Sequence, residues 1–170
     1  MSILAGARSA DRAGEIVSAA SLYEQALEAG EQSLPVLLDL ALLYWQATDP
    51  GIAAAMHLDA AFLDLASHRT SELLEQAARM YPEDTAPRFW MRYIAWADLC
   101  EPFPTEECRQ LLLENPIVLV PVLHLFAQSQ GMDLRVEANE LLRQAREHGT
   151  MGARYVASVI EAVMRQSARG

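Results

Sequence analysis

The feature that most constrains this chain is the spacing of its apolar residues, which recur three and four positions apart along almost the whole length. That recurrence places apolar side chains on one face of a helix, whereas a half-buried strand needs strict alternation between hairpin turns. No stretch alternates in that way. The helical pattern is also punctuated. Asp49-Pro50 and Asn115-Pro116 each set a capping side chain before a proline suited to the first helical turn. Ser33, Thr70, Thr85, Thr105, Asp133 and Thr150 are further caps, and Gly30, Gly131 and Gly149 stand where a left-handed residue stops a helix. These signals predict about ten helices, over 2–12, 14–29, 34–47, 50–66, 71–80, 86–99, 105–114, 118–130, 134–148 and 151–167. Most linkers are short, which favours antiparallel neighbours. The chain is therefore expected to be all-α.

Composition narrows the function classes. The 170 residues hold 13 basic and 23 acidic side chains, a formal charge of −10, with 52% apolar residues. So apolar a chain is not intrinsically disordered. So acidic a chain is a poor match for nucleic acid, which needs a basic face to neutralise phosphate. All 13 basic residues are arginine, and lysine is absent. The start, Met1 to Arg8, lacks the basic region of a secretory signal, and the longest nearly apolar run, Ile117 to Ala127, is too short for a bilayer. Cys100 and Cys108 lack zinc-finger or CxxC spacing and read as free thiols. A cytoplasmic protein with no membrane or nucleic-acid partner is the expectation.

Whether the helical hairpins repeat is the next question. Helix 14–29 reads Ala19-x3-Tyr23-x2-Ala26, and the next helix reads Leu37-x2-Leu40-Ala41-x2-Tyr44. Thirty-four residues after Ala19 and Ala26 come Ala53 and Ala60, with His57 in place of Tyr23. Later echoes are Leu74-x2-Ala77 before Tyr81-Pro82, and Ala138-x3-Leu142-x2-Ala145. In this pattern the chain resembles the tetratricopeptide-repeat family, best over 1–67, moderately over 104–167 and poorly over 68–100. The resemblance implies one domain over 1–170, with helical hairpins stacked as a right-handed superhelix and helix 151–167 as its cap. It also implies a concave binding face lined by the first helix of each pair. The family's lysine-rich clamp for acidic C-terminal peptides does not transfer to a chain without lysine.

Several residues are candidates for that face. In helix 34–47, Leu38, Leu42 and Trp45 share the side away from the packing positions, with Asp39 and Gln46 beside them; Leu123 is their counterpart in helix 118–130. Surplus apolar residues there form either an exposed groove or core covered from both sides. In helix 86–99, Phe89, Tyr93 and Trp96 share one face and read as core, whereas Trp90 lies on the neighbouring face and is the candidate for exposure. Between Arg12 and Arg69 there are eight acids and no arginine: Glu15, Glu24, Glu28, Glu31, Asp39, Asp49, Asp59 and Asp64. Such a stretch either attracts a basic partner or only keeps the protein soluble.

No nucleotide-binding, hydrolase, zinc-protease or calcium-loop motif is present. His57, Asp64 and His68 fall on one helical face only if that helix runs unbroken, and even then they span about 16 Å, too far for one ion. His124, inside an apolar helix, reads as a satisfied core histidine, and Cys108 has no activating base nearby. No catalytic residue, metal or cofactor is expected. The sequence points to a non-enzymatic interaction protein of bacterial type, binding a helix or extended segment of a basic protein in a partly apolar, acid-rimmed groove. It would serve as a dedicated chaperone; the alternatives are an inhibitor of a basic toxin or enzyme, or a regulatory domain with a small ligand near Phe89–Trp96.

Overall fold

The computed structural model describes residues 2–169. Among these it is all-α, with ten helices and no strand: α1 (Ile3–Ala13), α2 (Ile16–Glu28), α3 (Leu34–Ala47), α4 (Pro50–Ala55), α5 (Ala60–Met80), α6 (Ala86–Leu99), α7 (Thr105–Glu114), α8 (Val122–Gln128), α9 (Arg135–His148) and α10 (Met151–Ser167). The chain divides into two compact units. Unit 1 is residues 1–80 together with 150–152, and unit 2 is 81–149 together with 153–170.

In unit 1 the hairpin α1–α2 forms because Ser2 caps the first helix, its Oγ accepting from Ala5 N–H, and Gly14 ends it with a φ of 78° that only glycine adopts without strain. α2 packs on α3, and α3 packs on α5. The residues assigned to packing by their spacing, Ala19, Tyr23, Ala26, Leu37, Leu40, Ala41 and Tyr44, are all buried. Small residues let the helix axes approach while each large apolar side chain contributes about 1.5–3 kcal/mol by leaving water.

The expected helices 50–66 and 71–80 are not what forms. The helix beginning at Pro50 stops at Ala55, His57 takes a left-handed φ of 52°, and Leu58 N–H closes the turn on Ala53 O at 3.0 Å. Asp59 then starts a new helix, its Oδ1 accepting from Phe62 N–H at 2.7 Å, and that helix runs on to Met80. Thr70 is no cap: its hydroxyl donates back to Ala66 O, one turn earlier, at 2.8 Å. The 34-residue echo therefore fails structurally. Ala19, Tyr23 and Ala26 are core, but their counterparts Ala53, His57 and Ala60 are half-buried or exposed.

Unit 2 has α7 against α8 and α8 against α9, with the aromatic residues of α6 meeting α8 and α10. The helix expected over 118–130 is shorter. Residues 116–121 form turns, because Pro121 has no N–H to donate and restricts the residue before it; the helix begins only at Val122. Asn115 ends α7 and donates its side-chain N–H to Glu83 O at 3.2 Å, so it caps no following helix.

Candidate functional site

In unit 1 the structure places most of the α3 candidates under cover. Asp39, Leu42 and Trp45 are buried, and only Leu38 and Gln46 of that group keep partial exposure. An exposed apolar groove at Leu42 and Trp45 is therefore corrected. The physical reason at Leu42 is Gly152, whose backbone lies so close that an added Cβ would sit 2.6 Å from Leu42 Cβ.

The same face holds a buried polar network missed in the sequence. Asp11 is fully buried and accepts from Tyr23 OH at 3.1 Å and from the Met151 N–H at 2.7 Å. Asp39 accepts from the Thr150 hydroxyl at 3.5 Å and faces Arg8 Nε at 3.5 Å. Burial, followed by the charges of Asp39 and Asp11, raises the Tyr23 phenol well above its ordinary value, so it stays a donor. One signal could have found Asp11: it lies four residues after the buried Ala7, on the apolar stripe of α1. Nothing local could have supplied its Met151 partner, which comes from 140 residues later in the chain.

The acid-rich stretch turns out to be largely engaged. Glu24 accepts from Tyr44 OH at 3.0 Å and from Arg69 Nε and Nη2 at 2.9 and 2.8 Å. The carboxylate raises the pKa of the already desolvated Tyr44 phenol further. Asp49 caps α4 through Gly51 and Ile52 N–H, Asp59 caps α5, and Asp64 faces His68 at 3.8 Å. Glu15, Glu28 and Glu31 are exposed.

A run of accessible apolar side chains lies after α3. No side chain of α4 is buried. From there into the first turns of α5, Ile52, Leu58, Phe62 and Leu63 are half-buried, while Met56 and Leu65 are exposed. Asp49, Asp59 and Asp64 stand among them, all exposed, and the first arginine is Arg69.

In unit 2 the aromatic residues gather around His124. Its ring stacks on Phe103 at 4.6 Å and meets Trp96 and Tyr93 edge-on at 4.8 and 6.0 Å. Trp90, expected on an exposed face, is buried against Phe89 and Tyr93, and Trp96 is the residue left half-exposed. The correction is geometric: Phe103, beyond the end of α6, packs at a tilt beside Phe89 at 5.9 Å and widens the buried face of the helix. Leu123 is likewise core. Tyr93 and Tyr155 join hydroxyls at 2.8 Å. His124 bonds Phe103 O through Nε2 at 3.0 Å, but its buried Nδ1 has no partner, so it is only half satisfied. Desolvation lowers its pKa and keeps the ring neutral. Burial pushes the Cys108 thiol up to about 12, and its S–H is directed at Pro121 O.

His57, in its left-handed turn, lies outside the helix carrying Asp64 and His68, so the three do not share a face. Among the described residues no group of three or more histidine, cysteine, aspartate or glutamate side chains gathers to hold a metal ion, and no helix is long and apolar enough to cross a membrane. Compared with known proteins, the chain matches no family model, no curated protein and no solved structure.

Proposed function

We propose that the chain is a non-enzymatic protein-interaction module whose contact surface is the α4–α5 segment of unit 1, and that its partner is a basic amphipathic helix. The observation that carries this reading is α4 itself, a helix with no buried side chain, continued by the accessible Met56 and Leu65. Exposed apolar side chains among charges of one sign are a recognised mark of a docking surface. The partner's apolar face would cover Ile52, Met56, Phe62 and Leu65, and its lysines or arginines would lie near Asp49, Asp59 and Asp64. Two of these acids, Asp49 and Asp59, are already fixed in place as helix caps. A client chaperone and an inhibitor of a basic enzyme are two forms of the same role, separated by whether the bound client keeps its activity.

The test is anisotropy with a fluorescent amphipathic helix of leucine and lysine, beside a control in which every lysine is glutamate. The lysine peptide should bind with micromolar affinity and weaken at least tenfold in the double variant Met56→Ser, Leu65→Ser, with the thermal midpoint of the protein nearly unchanged. Binding should also weaken from 50 to 300 mM salt. Equal affinity for the variant, or for the glutamate peptide, would refute the reading.

A further inference from the structure

Unit 1 is completed by three residues from a distant part of the sequence. Thr150, Met151 and Gly152 sit on the face formed by α1 and α3, and each is held by a different device. Thr150 donates its hydroxyl to Asp39. Met151, the first residue of α10, donates its backbone N–H to Asp11; such a group has no acceptor within its own helix. Gly152 is buried against Leu42, where no other residue type has room. A buried carboxylate beside a helix start is also favoured by the helix dipole.

We infer that the α1–α3 face is an acceptor for a helix start of the pattern hydroxyl, any residue, glycine, and that Thr150–Gly152 occupies it in cis as a strap. The three contacts are matched in register: the hydroxyl reaches one acid, the next residue's N–H reaches the other, and the glycine after that clears Leu42. The strap is an autoinhibitory contact. While it is seated, Asp39 and Leu42 are covered; once it leaves, the face presents two carboxylates and an apolar notch to a helix start of the same pattern from another chain. This inference is independent of the α4–α5 surface, which involves none of these residues.

The experiment uses the full chain and three variants, Gly152→Ala, Asp11→Asn and the double variant Gly152→Ala, Leu42→Gly, with a fluorescein-labelled peptide of residues 148–163 as probe. In Gly152→Ala, amide exchange across 149–153 should rise at least tenfold while α2 keeps its protection, and the peptide should bind; wild type should not bind it. Removing the Leu42 side chain down to and including its Cβ should make room for the new Cβ, restore protection and exclude the peptide. Asp11→Asn, which removes charge but little volume, should raise exchange at Met151 about fivefold and leave α2 unchanged. The inference is overturned if Gly152→Ala exchanges like wild type, or if either single variant loses protection in α2 along with the strap. It is equally overturned if the peptide binds wild type and variant alike, or neither.

Discussion

His124 is the clearest case of a single side chain tying stability to solution conditions. Its Nε2–H is spent on Phe103 O, its Nδ1 is buried without a partner, and aromatic rings stand on both sides of it. A proton added at Nδ1 would be a buried charge with no acceptor, so the folded ring holds out against protonation below the ordinary value of about 6.5, where the unfolded ring accepts it. Above about pH 6.5 both states are neutral and the residue adds no pH dependence. As pH falls below that, the unfolded chain binds a proton that the folded chain refuses, and stability drops until the lowered folded pKa is reached. Urea denaturation of unit 2, followed by aromatic fluorescence, should therefore lose stability as pH falls below about 6.5. His124→Phe keeps the stacking and should flatten that slope relative to wild type. A variant with the same slope as wild type would assign the titration to another group.

At the scale of the element, the break between α4 and α5 is where local chemistry decided against the longer helix. His57 holds a conformation that costs a residue with a Cβ roughly 1 kcal/mol, and Asp59 offsets it by capping the helix that follows. Asp59→Ala should then cost about 1 kcal/mol and speed amide exchange at Phe62. His57→Gly should gain about 0.5–1 kcal/mol, because glycine takes the left-handed turn freely. Chemical denaturation of the two variants checks both, and a stabilised Asp59→Ala would remove the cap from the account. The same break shows what was legible beforehand. α3, α6, α7 and α10 lie where the periodicity and its punctuation place them; Ser33 and Thr85 stand just before α3 and α6, although neither hydroxyl bonds back to the helix it precedes. The stop at His57 was hidden because a histidine took a position usually given to glycine. Thr70 misled because the hydroxyl that caps a helix start serves equally well to bond back within a helix. The buried face of α3 was out of reach for a different reason: its cover comes from Thr150–Gly152, and no periodicity reports a contact across more than a hundred residues.

At the scale of the whole molecule, the charge of −10 is unevenly held. Unit 1 carries eleven acids against four arginines, net −7, and unit 2 twelve against nine, net −3. The ion pairs of unit 2 use much of its charge locally: Arg92 with Glu101 and Glu107, Arg143 with Glu140 and Glu147, Arg146 with Glu161. Unit 1 lacks arginines to do this between Arg12 and Arg69, so its acids repel one another through water as well as capping and pairing. Repulsion across solvent is screened once the Debye length falls to about 10 Å, near 0.1 M salt, whereas short pairs and caps lose little. Unit 1 should therefore gain stability as salt rises from about 10 to 150 mM, and unit 2 should change less. Trp45 lies in unit 1 and Trp90 and Trp96 in unit 2, which allows the two to be followed separately. In Trp90→Phe, Trp96→Phe the remaining emission reports unit 1, and in Trp45→Phe it reports unit 2. The denaturation midpoint of the first should climb with salt and that of the second stay nearly level. A midpoint for unit 1 that falls or holds constant would mean that its acids are stabilised where they stand, and that its net charge exerts no strain for a basic partner to relieve.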